Sequence, residues 1–324
     1  MFKEKCLDGR TALVTGGGTG LGLSMALRFA ELGANVVVAS RSQEHIDEAR
    51  AAIEGKGARA LGLTCDVRSF DEVDGVVEAS VKAFGSIDIL VNNAAGNFLC
   101  PTEDLTPNGF AAVVGIVLNG TFHATLAAGR RMIAAGRGGS ILNILATYAW
   151  TGSGMVVPSA AAKAGVLAMT RGLAVEWAKY KIRVNAIAPG PFPTEGAWKA
   201  LVPTPEMSEA GKERIPLKRY GEHEELANLA AFLVSDYAGF ITGDCVTIDG
   251  GAWLAGASSF NALAMMDPEA VKPMIAAMRD AGRAGKKRDA KGSWRARRRT
   301  VIRPRAACGT SPLAARPSCS STSR

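Results

Sequence analysis

Hydrophobic positions fall into short, nearly continuous runs separated by longer amphipathic stretches. Thr11–Thr15, Asn35–Ser40, Ala58–Thr64, Ile87–Val91, Ser140–Leu145, Ile182–Ile187 and Cys245–Ile248 read as strands. Between them, the spacing of apolar residues predicts helices near Leu21–Leu32, Ser42–Glu54, Phe70–Phe84, Pro107–Ala135, Ser159–Tyr180 and Glu222–Ser235. Strands apolar on both faces belong to a parallel sheet covered by helices on both sides. The expected fold is α/β: a doubly wound, Rossmann-type parallel sheet of about seven strands, forming a single domain over residues 1–282.

Two stretches break this rhythm. Pro189–Pro216 is rich in proline and poor in periodicity. A loop this long in a compact domain is usually functional, and residues 190–218 are read as a lid over an active site. Residues 283–324 have no hydrophobic period and are expected to form a disordered basic tail. That tail holds thirteen Lys or Arg and one acid, about +12, so a net charge of +8 leaves the preceding residues at about −4. The body is mildly acidic, and any nucleic-acid argument would rest on the tail alone. The expectation is a solvated tail with no specific nucleic acid.

Composition narrows the class further. No apolar run reaches the roughly 20 residues that span a bilayer, and the N-terminus lacks the pattern of a secretory or transit signal. A cytoplasmic protein with no membrane partner is expected. The six cysteines include no C-x-x-C pair, and His45, His123 and His223 show no metal spacing, so no metal is expected.

The first predicted strand runs into Thr15-Gly-Gly-Gly-Thr-Gly-Leu-Gly22, which opens the first helix. Glycines there let the backbone turn tightly and approach a pyrophosphate, held by the unpaired N–H groups of the helix start. Thr15, Gly16, Gly18, Thr19, Gly20, Leu21 and Gly22 are the expected contacts. An acidic residue closing the second strand would bind a ribose 2′-hydroxyl and favour NAD. This chain has Ser40-Arg41 instead, a hydroxyl and a guanidinium suited to a 2′-phosphate, so the expected cofactor is NADPH. Asp66 and Val67 are expected near adenine, and Asn93 and Ala94 near its ribose.

In Thr15–Gly22, Asn92–Gly96, Asn119, Lys163 and Pro189-Gly190 the chain resembles the short-chain dehydrogenase/reductase superfamily, over about residues 8–255. Ordinary members pair a Tyr with a Lys four residues later and place a Ser thirteen residues before that Tyr. Here those positions hold Ser159 and Ala146. A serine hydroxyl is far too weak an acid to replace tyrosine in alcohol or ketone chemistry. The 2,4-dienoyl-CoA reductases of the mitochondrial type have this departure built in. The chain is similar to them in Asn92–Phe98, Val117–Thr121, Tyr148–Lys163, Ala188–Pro191 and Glu225–Phe232.

That resemblance implies an acyl-CoA thioester substrate whose carbonyl is held by Tyr148 and Asn97. Phe98 and Ser159 would line the site. Lys163 would hold the nicotinamide ribose, Pro189 and Gly190 would flank the cofactor, and Asn119 would hold a water that buttresses Lys163. It also implies a homotetramer. Trp198 and Met207 would line an acyl tunnel, and Lys199, Lys212, Arg214, Lys218 and Arg219 are the choices for CoA phosphates. Competing readings are a 2-enoyl-CoA or 3-oxoacyl reductase and a non-catalytic NADP-binding protein.

Overall fold

In the computed structural model, residues 5–194 and 204–296 are described. Seven parallel strands lie in the order β3-β2-β1-β4-β5-β6-β7. They are β1 (Thr11–Thr15), β2 (Asn35–Ser40), β3 (Ala60–Thr64), β4 (Ile89–Asn92), β5 (Gly139–Ile144), β6 (Ile182–Pro189) and β7 (Cys245–Ile248). The order reverses between β1 and β4, which opens a crevice at the carboxyl ends of the strands, where open α/β sheets bind ligands.

Each face of the sheet carries its own core. Val14, Val36 and Val38 bury against Met25 and Phe29 of α1 (Gly20–Glu31), Ile46 of α2 (Gln43–Glu54) and Leu226 of the helix His223–Val234. On the other face, Leu13, Val37 and Leu90 bury against Val77 of α3 (Phe70–Phe84) and Ala124 and Met132 of α5 (Gly120–Ala135). Burial on both faces is why these strands read as unbroken apolar runs.

The expected helix over Pro107–Ala135 is interrupted. It comprises α4 (Pro107–Val114), a π turn at Gly115–Asn119, and α5. Such π turns are rare and concentrate at functional sites. Glycines bracket this one, and at Gly120 a Cβ would press into Val67 Cγ2 at 2.6 Å. The fourth strand starts at Ile89 rather than Ile87, and Asp88, just before it, ties the neighbouring strands together by its backbone: its N–H donates to Thr11 O and its carbonyl accepts from Ser140 N. Its carboxylate accepts from Thr11 N and Ser86 Oγ, both at 2.9 Å, and pairs with Arg137.

The compact unit ends at Ala262 rather than at residue 282. Within the second unit, Pro268–Ala296 forms one helix. The expected tail from residue 283 begins within this helix, whose Ala, Lys and Arg are strong helix formers. The rest of the tail lies outside the described residues, as do Trp198 and Lys199 in the 190–218 stretch. That stretch is not wholly a loop: Pro205–Glu213 is a helix, capped by Thr204, whose side chain accepts from Met207 N.

Candidate active site

β1 delivers the glycine loop to the crevice. Gly16 has φ +63° and Gly20 φ +55°, backbone conformations that suit glycine. Gly16 N donates to Ala39 O at 2.7 Å, tying the loop to the end of β2. A Cβ on Gly22 would collide with Gly16 O and lie 2.5 Å from Asn93 Nδ2, so only glycine lets α1 start against its own loop. Asn93 Nδ2 donates to Thr15 O at 3.2 Å and to Gly16 O at 3.0 Å. Thr15 Oγ1 accepts from Asn93 N at 3.1 Å and Ala94 N at 3.2 Å. Thr15 and Asn93 thus fasten the loop to the exit of β4 and shape the site from behind.

A cleft of about 490 Å³ opens over these groups. Gly16, Thr19 and Leu21 line it, with Ser40, Arg41, Asp66, Val67, Asn93 and Ala94. This cradle fits an adenine dinucleotide: left-handed glycines at a helix start, a cleft lined from both β1 and β2, and a guanidinium where an NAD-selecting carboxylate would stand. Asp66 is bound to Arg68, whose Nε lies 3.0 Å from both carboxylate oxygens. Those hydrogen bonds hold its carboxyl down at about 2. Gly18 packs on His45, and His45, Ser42, Cys65, Ile116 and Thr194 also line the cleft without having been foreseen. For His45 a signal existed: Ser42 caps α2 and accepts from His45 N, so the first turn had to face the second strand's exit. Pro189 and Gly190 close β6 outside this cleft, and Gly190 N donates to Ile248 O at 2.9 Å.

Beyond β5, Tyr148 opens a one-turn helix, Tyr148–Thr151, that ends at Gly152 with φ +69°. Its hydroxyl lies 3.0 Å from Ser159 Oγ. Ser159 is buried in the first turn of the helix Val157–Glu176, whose second residue is Pro158. Lys163 stands four residues further along the same face. It is 7% exposed, its ammonium donates to Ile144 O, and burial pulls its pKa down to about 8. Tyr148 is therefore bonded to Ser159, with Lys163 one turn further along that helix, while half-buried Ala146 offers no side-chain donor.

Asn97 and Phe98 are exposed on the segment after β4. Cys100 N donates to Met155 O at 2.8 Å, which anchors that segment to the Tyr148–Ser159 loop. Asn119 ends the π turn, exposed, and no hydrogen bond joins it to Lys163 among the described residues. An aromatic pair also escaped the sequence: Trp150 meets Trp253 edge-on, centroids 5.7 Å apart. No local pattern announces a contact between residues a hundred positions apart. Of the basic residues considered for CoA, Lys212 pairs with Glu209, Lys218 with Glu213 and Arg219 with Glu225. Arg214 is exposed.

Comparison with known proteins agrees with this geometry. The profile of the family described as Enoyl-(Acyl carrier protein) reductase matches residues 16–252. A probable 2,4-dienoyl-CoA reductase [(2E)-enoyl-CoA-producing] of Bacillus subtilis is 49% identical, over 76% of this chain and 98% of that protein. A peroxisomal 2,4-dienoyl-CoA reductase [(3E)-enoyl-CoA-producing] of Arabidopsis thaliana is 42% identical, over 78% of this chain and 88% of the relative. The crystal structure of a gluconate 5-dehydrogenase from Burkholderia cenocepacia in complex with NADP and tartrate superposes with a TM-score of 0.72 at 35% identity, over 76% of this chain and 96% of that one. A glycine-loop crevice, a buried Lys163 one helical turn beyond the usual tyrosine position, and these relatives together place the chain in the short-chain dehydrogenase/reductase family, as an oxidoreductase whose relatives are named 2,4-dienoyl-CoA reductases.

Proposed function

We propose that the chain catalyses the NADPH-dependent reduction of 2,4-dienoyl-CoA to 3-enoyl-CoA in the β-oxidation of unsaturated fatty acids, as a cytoplasmic homotetramer. The observation that carries this reading is the Tyr148 hydroxyl, 3.0 Å from Ser159 Oγ, with serine in the position that ketone chemistry reserves for tyrosine. Ketone reduction needs a proton delivered to an alkoxide. Reduction of a conjugated thioester needs donors aimed at a developing enolate oxygen instead.

Bound NADPH supplies a hydride, which is added to C5 of the dienoyl chain. Tyr148 and Asn97 donate to the thioester oxygen as negative charge gathers there. Lys163 holds the ribose hydroxyls, and its ammonium favours the anion. Ser40 and Arg41 hold the 2′-phosphate. The dienolate then takes a proton at C2, the carbon next to the held carbonyl, which leaves the double bond at C3. A proton at C4 would leave it at C2, the product in the name of the Bacillus relative, after the same hydride step.

A second reading, reduction of 2-enoyl thioesters, is favoured by the description of the matching family. The deciding experiment follows NADPH consumption with 2,4-hexadienoyl-CoA, crotonyl-CoA and acetoacetyl-CoA, and identifies the product by NMR. Selective turnover of the dienoyl ester to the 3-enoyl product is expected. Turnover of acetoacetyl-CoA would overturn the mechanism, and turnover of crotonyl-CoA would favour the second reading.

A further inference from the structure

His223 is engaged through both ring nitrogens. Nδ1 lies 2.8 Å from Ser24 Oγ on α1, and Nε2 lies 2.7 Å from the carbonyl oxygen of Pro193, just after β6. Ser24 Oγ in turn donates to Gly20 O at 3.0 Å. A Cβ on Gly20 would sit 3.3 Å from Thr194 Cγ2, and Thr194 lines the cofactor cleft beside Thr19 and Leu21. One imidazole therefore joins the glycine loop, the first helix and the exit of β6.

These three contacts need three hydrogens. The Pro193 carbonyl only accepts, so Nε2 must carry one. The Gly20 carbonyl only accepts, so the Ser24 hydroxyl hydrogen is used there. The contact between Nδ1 and Ser24 then needs a hydrogen on Nδ1. A neutral ring has one N–H and a charged ring has two. With a neutral ring, Ser24 must choose between Gly20 O and Nδ1, and one contact is lost. With a charged ring all three form. On its own helix, exposed Glu222 and Glu224 flank His223 in sequence, while Glu225 pairs with Arg219. On α1 the ionisable residue one turn beyond Ser24 is Arg28, paired with Glu31 at 3.0 Å. Phe192–Thr194 has none.

We propose that His223 is a positioning residue of the cofactor site: it clasps the segment after β6 to the glycine loop, and the clasp is complete only when its ring is charged. This rests on the cleft being the NADPH site. The test measures NADPH dissociation constants by cofactor fluorescence from pH 8.5 to pH 5.5, for the full-length chain and His223→Gln. The ratio between the two cancels titrations they share, including those of the 2′-phosphate and Lys163. It is expected to rise from under twofold at pH 8.5 to about fivefold at pH 5.5, the effect of one hydrogen bond of ordinary strength.

Ser24→Ala, which removes the hydroxyl without touching a charge, is expected to abolish the pH-dependent advantage, and it carries the test should His223→Gln fail to fold. The nitrogen shifts of the three imidazoles supply a direct signature, with the rise in the ratio expected to follow the appearance of the second His223 ring hydrogen. A ratio that ignores pH, or one that rises while the His223 ring stays neutral, would overturn the clasp. If the unmodified chain binds NADH and not NADPH, the cofactor reading falls, and the same ratio measured with NADH still decides the clasp.

Discussion

Lys163 carries the least comfortable charge in the site. Its buried ammonium titrates at about 8 instead of the ordinary 10.5, from desolvation. The folded chain therefore gives up this proton more readily than the unfolded one, and stability rises with pH between about 8 and 10.5. The full burial cost applies below pH 8. Lys163→Met is expected to raise stability at pH 7 by up to about 3 kcal/mol, an advantage that shrinks as pH rises above 8 and is mostly gone by pH 10. The same substitution should weaken NADPH binding, and in the unmodified chain NADPH affinity should fall as pH rises through 8. Thermal melts at pH 7 and pH 10, with fluorescence titrations, check both; a Lys163→Met chain less stable at pH 7 would contradict the burial argument. Tyr148 makes the opposite case, since the role proposed for it lies in the reaction alone. Tyr148→Phe is expected to cut dienoyl turnover by about 10²–10³ with NADPH affinity unchanged within twofold. Full turnover would remove Tyr148 from its role.

Among the elements, the turn that carries Tyr148 is short for its task. It spans Tyr148–Thr151 and has no side-chain cap. Ala149 is buried beneath it, and Trp150 leans on Trp253. Trp253 is itself fixed, because Asp249 accepts from Trp253 N and Gly251 N at 2.8 Å each. Trp253→Ala is expected to lower kcat about tenfold through Tyr148, in line with the worth of an aromatic pair, while leaving NADPH binding intact. Trp253→Phe should restore most of the loss, and a Trp253→Ala effect confined to KM would assign the pair to substrate contact instead. The sequence could announce the strands, because burial on both faces leaves an unbroken apolar run, and the glycine loop, because a collision at Gly22 leaves no other residue there. It also contained the cap at Thr204-Pro205, a serviceable helix start that the proline content obscured. It could not announce the π turn at Gly115–Asn119, which shifts the register without changing the apolar pattern. Nor could it announce Trp150 on Trp253 or His223 between Ser24 and Pro193, which depend on where separate elements meet.

For the molecule as a whole, every group assigned to the site follows a strand's carboxyl end: Thr15 on β1, Ser40 on β2, Asp66 after β3, Asn93 after β4 and Tyr148 after β5. All lie within the compact unit that ends at Ala262. The Bacillus relative is matched over 98% of its length by only 76% of this chain, so an enzyme of this kind can be built without the remainder. The sign of the charge changes over that remainder, from about −4 before Arg283 to about +12 after it. A basic segment attached to an acidic body binds polyanions by counterion release, without regard to sequence and with steep salt dependence. A chain ending at Ala262 is therefore expected to keep its melting temperature within about 2 °C and its NADPH affinity and dienoyl turnover within twofold. It should also lose the retention on a heparin column that is expected of the full-length chain at low salt. Equal retention of the two chains would place the polyanion affinity on the body, against its charge. Loss of NADPH binding on truncation would show that residues beyond Ala262 support the site, and the boundary drawn there would be wrong.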